Sequence, residues 1–413
     1  MRILWVKMGG LWPSNTGGRV RSLQILAELS RRHHVTLVTT HGSGDDLEGL
    51  AHQLPHCRQI RSIPYAVPKR GDWRFPWAVA RSWVTVDPVD LWKWRVPQVR
   101  DHVDRLIAGG AVDLCVADFL FAAVNVPFDS QVPVVLFEHN VEFMIWKRLS
   151  AIEPSPLRRA LLEIEWRKVR MREAAACAAA DLTIAVSDED RRRLHTLAPH
   201  ARVTSIPTGV DTSYFHPNGY SELPNRIVFT GSMDWRPNED AVLYFIDTIL
   251  PCIRREIPTA SLAIVGRRPT DRLRAAARRA GAIVSGTVDD VRPYVAEAAV
   301  FVVPLRAGGG TRLKIFEALA MEKAVVSTTV GAEGLAVTPG REFIAADDPI
   351  DFARAVVALL RDPARRQALG RAGRRLVQER YSWAQVAREF EARCQDVLSR
   401  REPSSTKGIH AVA

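Results

Sequence analysis

Short apolar runs recur along the chain, separated by longer segments whose apolar residues fall at helical intervals. In the first half the runs are RILWVKM, VTLVTT, VDLCVAD, VPVVLFEHN and DLTIAVS. In the second half they are RIVFTGS, SLAIVG, AIVSGTV, VFVVPL and AVVSTT. These runs are continuous rather than alternating, and rich in Val and Ile, as suits strands buried on both faces. Segments such as VRSLQILAELSRR read as amphipathic helices. Strand–helix alternation over the whole length predicts an α/β protein with parallel, doubly wound, Rossmann-like sheets.

The rhythm breaks once, at IPTGVDTSYFHPNGYSELPN, where prolines and glycines replace aliphatic residues. The expected division is a first domain over residues 1–205, a linker over 206–225 and a second domain over 226–381. A C-terminal helix, SWAQVAREFEARCQDVLSRR, follows over 382–401, and a flexible tail over 402–413. Two domains also suit 413 residues with 47% apolar content.

The net charge of +11 directs attention to anionic partners. Much of it sits in helical stretches such as RRQALGRAGRRL, which read as solvated faces. The five cysteines are odd in number and form no C-x-x-C pair, so neither a disulfide framework nor a zinc site is expected. The opening MRILWVKMGG is too short an apolar run for a signal peptide, and no stretch approaches the roughly 18 apolar residues of a membrane span. A cytoplasmic protein is expected, with contact at the membrane's inner face as a further reading. That reading comes from DWRFPWAVARSWVTVDPVDLWKW, which holds five tryptophans between Trp73 and Trp94. The first interpretation of this segment is core. The second is a surface for an amphipathic acceptor or a membrane interface.

In open parallel sheets, ligands bind beyond the carboxyl ends of the strands. After VFVVPL comes RAGGGTRLKIFE. Gly308, Gly309 and Gly310 allow close approach to the backbone. Thr311 suits an N-cap. Arg312 and Lys314 place positive charge where a helix start is already electropositive, which asks for an anion. Glu317 lies on the same helix face as Lys314 and could accept from a ribose diol. Leu313, Phe316 and Ala320 would face the core. The plainer alternative is a surface ion pair beside a turn. No Walker A spacing exists.

Three further loops fit the same rule. FTGSMDWRPN offers Gly231 at a strand end, Arg236 as a phosphate ligand, and Pro237 in a first helical turn. PSNTGG, with Gly17 and Gly18, opens a helix after the first strand, without the G-x-G-x-x-G fingerprint. Glu138, His139 and Asn140 end a buried strand, and His139 could hold a sugar hydroxyl or donate to a carbonyl. No Asp-x-Asp pair ends a strand to hold a metal. Asp289 and Asp290 read as a helix start.

Together these stretches resemble the family 4 retaining glycosyltransferases of GT-B fold. The resemblance rests on GGRVRS, FEHNVE, IPTGVD, FTGSMDWRPNEDAV, IVGRRP, GTVDDVRPY, PLRAGGGTRLKIFEALAMEKAVVSTTVGAEGL and the closing YSW, over roughly residues 1–395. The sequence is most similar to sugar transferases of bacterial exopolysaccharide and PEP-CTERM/exosortase systems. The resemblance implies two Rossmann-like domains facing across a cleft, with the C-terminal helix crossing back to the first. It implies transfer from a nucleotide-diphosphate sugar to a glycan or lipid-linked acceptor, with no cofactor, metal or nucleic acid. His139, Arg312 and Lys314 would carry the chemistry. Gly17, Gly18, Glu138, Gly231, Arg236, Gly266, Thr287, Gly309, Gly310, Thr311 and Glu317 would bind the substrates. Many relatives carry Glu-x(7)-Glu, but Gly309 stands eight before Glu317, so one sugar contact must be absent or supplied otherwise. Arg236 is the available cation after the first C-terminal strand, where relatives often carry others. Two alternatives stay open: a non-hydrolysing sugar-nucleotide epimerase, and a non-catalytic nucleotide-sugar-binding protein.

Overall fold

The computed structural model describes residues 1–401, except 15, 69–71, 154, 218, 220 and 307–312. By internal contacts the chain forms two units. The first comprises Met1–Pro207 and the returning Val386–Ala413; the second is Thr208–Gln385.

The first unit is built on seven parallel strands: β1 (Arg2–Lys7), β2 (His34–His41), β3 (Gln59–Pro64), β4 (Leu114–Asp118), β5 (Val134–Phe137), β6 (Leu182–Ala185) and β7 (Val203–Ser205). Their order is β3-β2-β1-β4-β5-β6-β7. The continuous apolar runs behave as their pattern predicts: β4, β5 and β6 are buried along their whole length. Strand order reverses beside β1, so the connections after β1 and β4 leave toward opposite faces and open a crevice at the carboxyl end. The last helix, Trp383–Arg401, ends in this unit. Its Phe390 packs on Trp5 and Phe137 at centroid distances of 5.4 and 5.1 Å.

The second unit repeats the plan with β8 (Arg226–Thr230), β9 (Ser261–Val265), β10 (Ile283–Val284), β11 (Val300–Val303), β12 (Ala324–Ser327) and β13 (Ile344–Ala345), in the order β10-β9-β8-β11-β12-β13. Its switch point lies between β8 and β11. The stretch 208–225 packs with this unit: Val210 is in its core, and the Val210 N–H donates to the Tyr381 carbonyl at 2.7 Å. The fold is thus two doubly wound α/β units, as the alternation predicts. β3, β7 and β13, which are short or only part-buried, have no clear apolar run in the sequence.

The core interpretation of the tryptophan-rich segment is overturned for its first three rings. Trp73, Trp77 and Trp83 are 76%, 67% and 67% exposed, about the helix Arg74–Val84. Trp92 and Trp94 are part-buried. Among the described residues, Ser82 is the one buried on this helix, so the helix lies at the surface and gives its large rings no core to enter.

Candidate functional site

In the first unit the polar residues gather where β1, β4 and β5 end. Lys7 and Asp118 stand opposite in the β1–β4 register. Asp118 is fully buried. Its carboxylate accepts from Trp5 Nε1 at 2.8 Å, from Lys7 Nζ at 3.2 Å and from His139 Nε2 at 2.8 Å. Burial alone would raise the Asp118 carboxyl, but the Lys7 ammonium and the His139 contact hold it well below the usual carboxylate range. Burial pushes Lys7 down, against the pull of Asp118.

Burial also drives His139 down to about 3, so its ring is neutral. An ionised carboxylate can only accept, so Nε2 carries the ring proton. Nδ1 is then an acceptor, and it is buried without a partner among the described residues. The ring stacks on Phe119 with centroids 3.9 Å apart and planes within 3°. Lys7 Nζ lies 3.7 Å from the centroid of Phe119. Phe119 itself has φ of 75°, a strained position for a bulky residue.

Gly18 closes this corner. A Cβ there would lie 2.7 Å from Phe119 Cζ and 3.8 Å from His139 Nδ1. Gly17 begins the helix Gly17–Ser30, whose N-cap Thr16 accepts from the Arg19 N–H at 3.4 Å. Glu138 is turned inward. Its carboxyl is buried beside Glu173 and Glu142, neither oxygen has a partner of normal hydrogen-bond geometry among the described residues, and burial pushes it well above the usual carboxylate range.

In the second unit the loops after β8 and β9 meet. A Cβ on Gly266 would fall 1.7 Å from the Gly231 carbonyl oxygen. A Cβ on Gly231 would fall 2.8 Å from Lys314 Nζ and 2.6 Å from Asn238 Nδ2. Lys314 donates to Asn238 Oδ1 at 2.8 Å and sits 4.2 Å from the centroid of the Phe229 ring. Asn238 is itself fixed by donating to the Ser232 carbonyl at 2.9 Å. Pro237 occupies the first turn of the helix Arg236–Tyr244, which places Asn238 beneath the loop. Arg267 Nε donates to Ser232 Oγ at 2.7 Å, joining the two loops a second time.

Lys314 and Glu317 lie on the helix Leu313–Ala320, held by buried Ile315, Phe316, Leu319 and Ala320. Crowding around the Glu317 carboxyl raises it to about 7, with Lys314 pulling the other way. The group is therefore poised between protonated and ionised at neutral pH.

The structure brings Gly231, Gly266, Lys314 and Glu317 to one strand-end region, and Gly18 and His139 to another. Arg236 is exposed and lines a groove of about 310 Å³ with Glu239, Asp240, Tyr244 and Arg306. Thr287 is exposed in the loop after β10. Its neighbour Ser285 accepts from the Gly266 N–H at 3.4 Å. Gly308, Gly309, Gly310, Thr311 and Arg312 lie outside the described residues. Sequence reasoning missed Lys7, Asp118 and Phe119. The first two were signalled by the same rule that selected His139: each is a charged residue closing a buried strand. Nothing in the sequence signals the Phe119 stack.

Two family models match the chain in succession. The model described as Glycosyltransferase Family 4 covers residues 16–214, and that described as Glycosyl transferases group 1 covers 224–362. An uncharacterized 44.6 kDa protein in the cps region of Klebsiella pneumoniae is 20% identical, over 86% of this chain and 90% of its own. A GDP-mannose-dependent alpha-(1-6)-phosphatidylinositol monomannoside mannosyltransferase of Mycobacterium tuberculosis is 30% identical, over 50% of this chain and 60% of its own. The match with this mannosyltransferase thus spans under two thirds of its length. Among solved structures, sucrose-phosphate synthase from Thermosynechococcus elongatus superposes with a TM-score of 0.68 at 17% identity, over 97% of this chain and all of its own. With matched models in both halves and this architecture, the chain is a glycosyltransferase of GT-B fold.

Proposed function

We propose that the chain transfers a sugar from a nucleoside-diphosphate donor to a glycan or lipid-linked acceptor, with retention of anomeric configuration, in exopolysaccharide or other cell-surface glycan synthesis. The observation that carries this reading is Lys314, held by Asn238 beneath the bare backbone of Gly231 at the β8–β11 switch point. A diphosphate approaching that corner meets peptide groups, the Lys314 ammonium and, one turn further, Glu317. Preorganised cations stabilise the charge that builds on the leaving diphosphate. Arg312 would add a second cation there, and ionised Glu317 would accept from the ribose hydroxyls. His139 would accept from a sugar hydroxyl. The negative charge on the departing phosphate would assist deprotonation of the acceptor on the same face. No metal is asked of the site in this reading.

The relative in a cps region and the GDP-mannose-dependent relative support a cell-surface setting and a nucleotide sugar. The test is incubation of the purified chain with radiolabelled UDP-, GDP- and ADP-sugars and a lipid extract. A glycosylated product whose new linkage keeps the donor's configuration supports the reading. An epimerised nucleotide sugar, or binding without turnover, contradicts it.

A further inference from the structure

We infer that Asp118 is a positioning residue that, with Lys7 and Phe119, fixes His139 as a hydrogen-bond acceptor, so that the corner beside Gly18 takes a ligand hydroxyl and rejects a carbonyl or carboxylate oxygen. This deepens the proposed glycosyl transfer and rests on it for the identity of the hydroxyl. The geometric part stands alone. Three donors converge on Asp118, from Trp5, Lys7 and His139, so the carboxylate cannot turn away from the ring without orphaning an indole N–H and an ammonium. The flat stack on Phe119 removes the other freedom, rotation of the ring about its own bond. Nδ1 is left as a buried acceptor with no partner among the described residues, 3.8 Å from where a Cβ on Gly18 would stand.

The charged groups around the ring are Asp118, Lys7 and Arg21. The two cations oppose a second proton on the imidazole, and only Asp118 favours one. A buried lone pair lacking a donor is a cost that a bound hydroxyl removes and a bound carbonyl makes worse. The same geometry corrects the sequence-based expectation that His139 could donate to a carbonyl: its one N–H is already committed to Asp118.

The experiment is ¹⁵N nuclear magnetic resonance of histidine-labelled full-length protein, which reports which ring nitrogen carries hydrogen. In the parent, His139 should show the Nε2-protonated neutral ring throughout about pH 5 to 9. Asp118→Asn should lose that single form while keeping the parent's circular dichroism, and donor kcat/KM should fall by at least about tenfold, as for one lost buried hydrogen bond. An Nδ1-protonated or doubly protonated ring in the parent overturns the inference. So does an unchanged single form in Asp118→Asn. Should that variant fail to fold, the parent spectrum still decides. The ring measurement needs no turnover, so absence of transferase activity would count against the proposed function and leave this test intact.

Discussion

Gly231 and Gly266 meet backbone to backbone: a methyl group on Gly266 would lie 1.7 Å from the Gly231 carbonyl oxygen. The obstacle is main chain, which cannot swing aside as a side chain can. Gly266→Ala must therefore push the β8 and β9 loops apart, at about 1–3 kcal/mol or more. The expected outcome is a melting temperature several degrees below the parent's, with weakened nucleotide binding. Gly44, where an added Cβ meets nothing within 4 Å, is the control. Gly44→Ala should stay within about 0.5 kcal/mol of the parent in a denaturant titration.

Lys314 contributes charge rather than folding in the proposed reaction. Lys314→Ala should lower kcat with the donor by about 100-fold, a loss typical of one preorganised stabilising group. Asn238→Ala leaves the cation but removes its tether, and the expected loss is smaller, about tenfold. Steady-state kinetics on the two variants check the order. An Asn238 variant worse than the Lys314 variant would mean that Asn238 acts for itself.

Glu317 gives a pH dependence with a definite sign. Burial holds its carboxyl at about 7 in the folded chain, against an ordinary 4.5 for glutamate. The folded state therefore holds the proton more tightly, and this group's contribution to stability falls as pH rises from 4.5 to about 7. Glu317→Gln removes that fall. Relative to the parent, it should be more stable at about pH 8 than at about pH 5, by on the order of 2 kcal/mol. Thermal melts at both pH values check it. Donor binding should run the other way. Only the ionised carboxylate accepts from both ribose hydroxyls, so affinity of the parent should rise between about pH 6 and 8. The variant's affinity should stay flat, and Glu317→Ala should cut turnover by about tenfold or more.

Trp77 and Trp83 leave most of their surface in solvent, so their removal should cost little stability. If they dock the acceptor, the double variant Trp77→Ala, Trp83→Ala should raise the acceptor KM by about tenfold or more, as for two lost aromatic anchors. Donor KM and the melting temperature should stay near the parent's. Unchanged acceptor kinetics would remove this segment from the acceptor's path.

The sheets were legible because their strands are buried on both faces, and such strands announce themselves as unbroken runs, as β4 and β11 do. β7 and β13 are short and part-buried, so their sequences carry no comparable mark. Lys314 was legible because a cation is badly placed at a helix start alone, and Glu317 because its spacing puts a carboxylate on the same helix face. The contact of Lys314 with Asn238 was not, since it depends on how two strand connections come together at the switch point. Trp73, Trp77 and Trp83 misled for the converse reason: composition reports how apolar a side chain is, while the helix that carries it decides which way it faces.

The most direct measurement is calorimetric titration of UDP, GDP and ADP into the parent chain and into Lys314→Ala. At least one nucleoside diphosphate should bind the parent, and the substitution should weaken it by at least about tenfold, as for a lost charge-assisted contact. Binding of equal strength in both proteins, or of none of the three to the parent, would contradict it.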